Sequence, residues 1–244
     1  MLLQACVNGA RLPAEHPALP TTANGLALDV ARVVLAGAGA VHLHAKDDGG
    51  ADTLENGPLA AVLTAVRRAV PGVPVGVTTG GWTTAGPADR VAAVRAWTTL
   101  PDSASVNWHE DGAEDVATAL LARGVAVEAG LWHTDAVGLW LNSPHRDRCL
   151  RVLIELGDGL DTTGTEREAG HLLAQVRSGT RGAVPVLLHG EGSSAWPALR
   201  LAGQLGLDTR IGLEDVLTLP DGATATDNAM LVTAARALLA AASS

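Results

Sequence analysis

Eight short apolar or β-branched runs recur along the chain, at positions 2–7, 38–45, 73–79, 103–108, 125–131, 151–157, 184–189 and 208–213. Between them lie Ala/Leu/Val segments with helical spacing, for example 26–35, 59–70, 88–97, 113–121 and 195–205. One strand and one helix in every roughly 30 residues is the pattern of a parallel sheet joined by crossover helices. A count of eight favours a sheet closed on itself, so the expected fold is α/β, a (β/α)8 TIM barrel, with residues 1–244 as a single domain. An open doubly wound sheet would want a GxGxxG turn after the first strand. Asn8-Gly9-Ala10-Arg11 does not supply one.

Barrels of this kind carry their chemistry at the C-terminal ends of the strands. Here those ends are polar: Asn8-Gly9, His42 through Asp47, Thr78-Thr79-Gly80-Gly81, Asn107-Trp108-His109-Glu110, Glu128 with Trp132-His133, Asp158, His189-Gly190-Glu191, and Glu214-Asp215. The second of these, His42-Leu43-His44-Ala45-Lys46-Asp47, says most. Strand side chains alternate with period two, so His42, His44 and Lys46 share a face. A lone histidine on an apolar strand is ordinarily a hydrogen-bonded core residue. Two side by side can reach one ion, whereas burying two unpaired imidazoles for structure alone costs desolvation energy.

Two imidazoles and one carboxylate make an open metal site of the catalytic type. Barrel closure offers the carboxylate: the eighth strand neighbours the first and the first neighbours the second, so Glu214 in Arg210-Ile211-Gly212-Leu213-Glu214-Asp215 can approach His42 and His44 across the mouth. Asp215 is then placed as a general base, and Arg210 offers a fixed fork for a substrate carboxylate. The same residues also read as an acidic helix N-terminus, favoured by the helix dipole, with Arg210 as a salt-bridge partner. Spacing alone leaves both readings open.

The remaining ends are less specific. Thr78-Thr79-Gly80-Gly81 suits a carboxylate or phosphate, although glycine-rich turns after strands are common. Asn107 and Glu128 end neighbouring strands, while His109, His133 and His189 read as supporting or surface groups. Lys46 is the only lysine: desolvated it could be a Schiff-base nucleophile, solvated it would pair with Asp47 or Asp48. Residues 13–22 form a long first loop able to fold over the site as a lid.

Composition narrows the classes. A net charge of −9 with no basic cluster leaves no footprint for nucleic acid or anionic lipid, and the absence of Tyr and Phe leaves only six Trp to stack on bases. The sequence has no apolar run of about 18 residues and no signal-peptide pattern, so no membrane span is expected and the location expected is cytoplasmic. Cys6 and Cys149 fit a reducing compartment as small core residues.

Taken in order along the chain, Cys6-Val7-Asn8-Gly9, Pro17-Ala18-Leu19-Pro20, Ala36-Gly37-Ala38, His42-Leu43-His44, Thr78-Thr79-Gly80, Arg210 through Asp215 and Asn228-Ala229-Met230-Leu231-Val232 resemble the β-keto acid cleavage enzymes. The resemblance implies a (β/α)8 barrel binding Zn2+ through His42, His44 and Glu214, assembled as a homo-oligomer, usually a tetramer. It implies condensation of a β-keto acid with acetyl-CoA, then cleavage to acetoacetate and a new CoA thioester. Asp215 would abstract the substrate α proton, Arg210 would act with it near the reacting carbonyl, and Glu128 would hold that pair. Glu15 on the first loop would face the substrate's distal end, and Thr78, Gly81, Ser105 and Asn107 would contact substrate. Lys46 stands where members of this family usually carry Arg.

Three other functions remain beside this one. A Schiff-base aldolase would use Lys46. A metal-dependent hydrolase of the amidohydrolase kind would need further His ligands, with His189 the main candidate. A non-catalytic barrel would bind a small acid without turnover.

Overall fold

The computed structural model describes residues 1–180 and 184–242. Its eight parallel strands are β1 (Leu3–Cys6), β2 (Ala40–Leu43), β3 (Val75–Thr78), β4 (Ser103–Asn107), β5 (Ala126–Leu131), β6 (Arg151–Leu156), β7 (Val186–Gly190) and β8 (Asp208–Ile211). They form a closed barrel in chain order, with Gln4 of β1 paired to Ala40 on one side and to Arg210 on the other. The helices are α1 (Ala23–Ala36), α2 (Asn56–Ala69), α3 (Pro87–Ala96), α4 (Ala113–Ala122), α5 (Thr134–Leu141), α6 (Thr162–Gly179), α7 (Ala195–Leu205) and α8 (Asn228–Ala242). The (β/α)8 barrel expected from the sequence is therefore the fold. Among the described residues no helix is long and apolar enough to cross a membrane.

Helix boundaries follow local chemistry. The Thr22 side chain accepts from the Gly25 N–H to start α1, and Gly37 stops it in a left-handed conformation with its N–H turned back to the Val33 and Val34 carbonyls. The segment α6 lacks an obvious helical signature because it opens on Thr162-Thr163-Gly164, which are weak helix formers. The Asp161 carboxylate compensates by accepting from Gly164 N–H.

The strands are buried on both sides yet alternate in chemistry. Ala5, Val41, Leu43, Val75, Val77, Val127, Val152 and Ile154 belong to the apolar layer against the helices. Their strand neighbours face the barrel axis, and many are polar: Gln4, His42, Thr78, Ser103, Glu128, Arg151 and Arg210 are all buried. Such a lumen survives only if its charges are paired. Arg151 Nη2 lies 2.6 Å from Glu128 Oε1, and Ser103 Oγ donates to Glu128 Oε2 at 3.2 Å.

Two glycines let β8 close on β1. A Cβ on Gly212 would overlap the Cys6 carbonyl, and one on Gly9, whose φ is +58°, would overlap the Glu214 side chain. Glu214 N–H then donates to the Cys6 carbonyl, 3.2 Å away, in line with the ladder. Asn228, the first residue of α8, locks the arrangement: its Oδ1 accepts from Leu213 N–H, while its Nδ2 donates to the Val7 carbonyl and to Asp29 Oδ2.

Candidate metal centre and substrate pocket

His42 lies one residue before the end of β2 and His44 just after it, both facing the mouth of the barrel, and Glu214 arrives from the β8 end. Candidate ligand atoms of these three residues all lie within 4.8 Å of one another. The β2 ladder ends just before His44, and the Asn8 side chain extends it: Asn8 Oδ1 accepts from His44 N–H and its Nδ2 donates to the His44 carbonyl, both at 2.9 Å. A side-chain amide thus holds the second histidine as a further rung would.

His44 is oriented from behind. Its Nδ1 bonds Asp52 Oδ2 at 2.8 Å, which leaves Nε2 facing Glu214 Oε1 at 3.8 Å. Asp52 also accepts from Lys46 Nζ at 2.6 Å and from Trp82 Nε1 at 2.8 Å. Burial pushes the Asp52 carboxyl up, but the hydrogen bonds from His44, Lys46 and Trp82 win and hold it at about 2.

The donor set fits a divalent cation. Burial pulls His42 down to about 4, so the ring is neutral and can donate a lone pair. For Glu214 burial raises the carboxyl, yet Arg210 and the two histidines overcome it and hold the group ionised, at about 2. Glu214 Oε2 is buried without a hydrogen-bond partner. Two imidazoles, one ionised carboxylate with a free oxygen, and an adjoining cavity are what an open His/His/carboxylate centre requires.

That cavity, about 320 Å³, is lined by His42, His44 and Glu214 on one side and by Thr78, Ser105 and Asn107 on another. Arg11, and Glu15 from the loop over residues 13–22, also line it. His16 anchors that loop through Nε2 to the Ala225 carbonyl at 2.9 Å. Arg210 enters the pocket wall and is held on both sides: Nε donates to His189 Nδ1 at 3.0 Å, and Nη2 reaches Asp215 Oδ1 at 2.8 Å and Glu214 Oε1 at 3.2 Å. Burial works against the Arg210 charge, but the ring of carboxylates keeps it protonated. Asp215 is fully buried behind it, pushed well up by burial and by Glu214, Glu191 and Glu155 against the pull of Arg210. Asp215 Oδ2 has no hydrogen-bond partner.

Several expectations change. Glu128 does not bond Arg210 or Asp215: Arg151 on the adjacent strand takes its Oε1, and it forms the floor of the lumen. The Glu15 carboxylate does not reach freely toward a substrate, because Oε2 pairs with Arg11 at 2.9 Å and Oε1 accepts from Leu12 N–H at 2.6 Å. Gly81 does not line this cavity, and a Cβ there would come within 3.2 Å of Glu110. Lys46 pairs with Asp52, not with Asp47 or Asp48, and its amine also donates to the Gly9 and Arg11 carbonyls, which removes it as a free nucleophile. His189 holds Arg210 and is not among the clustered metal donors. His133 caps α5, its Nδ1 accepting from Ala136 N–H. Cys6 is a buried core residue as expected, whereas Cys149 is only partly buried.

Sequence reasoning missed Asp52, Glu155, Trp82 and the Asn8 side chain as parts of the site. Asp52 had a signal: Asp47-Asp48-Gly49-Gly50 is a turn sequence, and the chain reverses there so that Asp52 pairs antiparallel with Lys46.

Known proteins resemble the chain in sequence and in fold. Over 82 residues the chain is 32% identical to the 3-keto-5-aminohexanoate cleavage enzyme of Fusobacterium nucleatum, a match taking in 33% of this chain and 30% of that protein. Among solved structures, ObcA in a ternary complex with a C4-CoA adduct and oxalate aligns with a TM-score of 0.72 at 19% identity, over 92% of this chain and 64% of ObcA. ObcA in a binary complex with oxaloacetate gives 0.67 at 20% identity, over 91% and 63%. At such identities the likeness is one of fold, and the chain spans less than two thirds of these relatives' length. The model of the beta-keto acid cleavage enzymes, by contrast, matches residues 1–244. With a His-Leu-His strand end, a Glu-Asp pair across the closure and a family match over its full length, the chain belongs to the beta-keto acid cleavage enzyme family.

Proposed function

We propose that the protein is a zinc-dependent β-keto acid cleavage enzyme, which condenses a β-keto acid with acetyl-CoA and yields acetoacetate and a CoA thioester of the remaining acyl part. The observation that carries this reading is the meeting of His42, His44 and Glu214 beside a pocket lined by Arg210, which holds Asp215 buried behind it. Zn2+ suits one carboxylate and two imidazole donors, and when bound it supplies Lewis-acid stabilisation of negative charge developing on a substrate keto oxygen.

The chain's own residues account for the rest. Asp215 Oδ2, unpartnered, takes the proton from the substrate α carbon, and its upward-shifted carboxyl makes it a stronger base than an exposed aspartate. Arg210 holds the other Asp215 oxygen and is itself fixed by His189, so the base cannot rotate away. Arg210 also presents positive charge to the substrate carboxylate. Thr78, Ser105 and Asn107 line the wall where substrate oxygens lie. The loop carrying Arg11 and Glu15 covers the pocket and limits entry of water.

Incubating the zinc-loaded protein with acetyl-CoA and a panel of β-keto acids, and following acetoacetate, tests the reading. Acetoacetate is expected only when both substrates are present, and Asp215→Asn is expected to lower the rate by about 10²–10⁴. No acetoacetate from any member of a broad panel, or full activity in Asp215→Asn, overturns it.

A further inference from the structure

Trp82 is 53% exposed at the edge of the pocket, yet its ring is held on three sides. It belongs to a single turn of 3-10 helix, Gly81–Thr83, that follows β3. Thr83 ties this turn back on itself: its N–H and its hydroxyl both donate to the Gly80 carbonyl, at 3.1 and 2.6 Å. The indole thereby folds down over Gly80, where a Cβ would overlap its six-membered ring. Gly80 has φ −55° and ψ 146°, close to the polyproline geometry open to any residue, so it is the ring and not the backbone that requires glycine here.

What the ring reaches is the His44–Asp52 pair. Trp82 Nε1 donates at 2.8 Å to Asp52 Oδ2, the same oxygen that His44 Nδ1 bonds at 2.8 Å. The indole also stacks on the imidazole, with centroids 6.2 Å apart and planes inclined by 27°, inside the range of offset aromatic pairs. His44 is thus held from behind by a carboxylate that Trp82 orients, and across its face by Trp82 itself. The side chains of His44 and Asp52 are only 4% and 3% exposed, so a half-open indole supports a buried pair.

Resting on the metal centre proposed above, we infer that Trp82 is a positioning residue for His44, fixing the imidazole plane through Asp52 and through the stack so that Nε2 stays aimed at the ion site beside Glu214. An indole has one donor and no acceptor, so Trp82 does not ligate the ion. Its contribution is to set the ring before the ion arrives, since a ligand whose orientation is already fixed binds metal more tightly than one that must be ordered on binding. Because so much of the indole lies in solvent, little of the fold depends on it.

Zinc affinity by chelator competition and urea denaturation of the metal-free protein, measured on the same variants, separate positioning from folding. Trp82→Phe keeps the stack and loses the N–H, Trp82→Leu loses both, and Gly80→Ala displaces the ring while Trp82, Asp52 and His44 all remain. Zinc is expected to bind about threefold more weakly in Trp82→Phe and about tenfold more weakly in Trp82→Leu and in Gly80→Ala, with the urea midpoints of the metal-free proteins unchanged. Gly80→Ala added to Trp82→Leu is expected to weaken zinc no further, because the new methyl then has no ring to displace. The visible absorption of the cobalt-loaded protein is expected to change in Trp82→Leu, as the ligand ring turns. Zinc affinity in Trp82→Leu within about twofold of the wild type overturns the inference, as does a urea midpoint that falls along with the affinity, an additive loss in the double variant, or an unchanged cobalt spectrum. Should Trp82→Leu fail to fold, Trp82→Phe and Gly80→Ala still decide, and wild-type zinc affinity in both overturns it. Wild-type protein that binds no zinc counts against the metal centre, whereas equal binding by the wild type and the variants counts against the role of Trp82 alone.

Discussion

Replacing Asp52 by asparagine perturbs two things at once, and their sizes can be separated. The first is folding: Lys46 is buried with its amine on Asp52 Oδ1 and two backbone carbonyls, so removing the carboxylate strands a buried cation. Breaking a buried pair on one side costs about 3–5 kcal/mol. The second is ligation: Asp52 Oδ2 orients the His44 ring, and loss of such a partner weakens metal binding by about 10–100-fold, or roughly 1.4–2.7 kcal/mol. The stability loss of the metal-free protein should therefore exceed the loss in metal binding energy. Adding Lys46→Met to Asp52→Asn removes the stranded charge, and the double variant should regain most of the stability while its zinc affinity stays low. Urea denaturation of the metal-free proteins measures the first effect and competition with a zinc chelator the second. Wild-type zinc affinity in Asp52→Asn, or recovery of that affinity together with stability in the double variant, refutes the reasoning.

Other outcomes follow from single contacts. Burial raises Asp29 to about 6 despite the hydrogen bond from Asn228, so its protonated form favours the fold: that stability is complete below about pH 4 and is lost as pH rises through about 6. Asp29→Asn keeps an acceptor for Asn228 and should gain up to about 3 kcal/mol at about pH 7.5, with a flatter stability profile between about pH 4 and 7; urea titrations showing a loss at both ends contradict this. Gly9 and Gly124 both have positive φ, but only at Gly9 would a Cβ overlap Glu214. Gly124→Ala should cost about 1–2 kcal/mol of stability with unchanged zinc affinity, while Gly9→Ala should lower both, and equal zinc affinity in the two variants rules out the steric account.

The barrel was readable because parallel strands and crossover helices impose two different periods, and the runs at 2–7 through 208–213 each overlap one observed strand. Closure was the step that made Glu214 a candidate partner for His42 and His44, and the β1–β8 pairing supplies it. What stayed hidden depends on contacts that spacing does not encode. Lys46 reads as exposed until the turn over residues 47–51 brings Asp52 back against it. Glu128 reads as a site residue because it sits on a strand of the right barrel, yet its depth in the lumen and the neighbouring Arg151 decide its partner. Glu155 lies inside the run Arg151 through Leu156, where the alternation of faces places it on the axis, while the most obvious polar signal of that strand sits beyond it at Asp158. Glu15 illustrates the converse: its place beside the pocket was foreseen, whereas the local hydrogen bonds from Arg11 and the Leu12 N–H that occupy its carboxylate were not.

The most direct test is the zinc content of the purified protein and of three variants, His42→Ala, His44→Ala and Glu214→Gln, measured by elemental analysis after dialysis against zinc. One ion per chain in the wild-type protein and its loss in each variant, with all four proteins still folded by circular dichroism, is the predicted result. Wild-type protein that retains no ion, or variants that keep it in full, would contradict the meeting of these three donors around one cation.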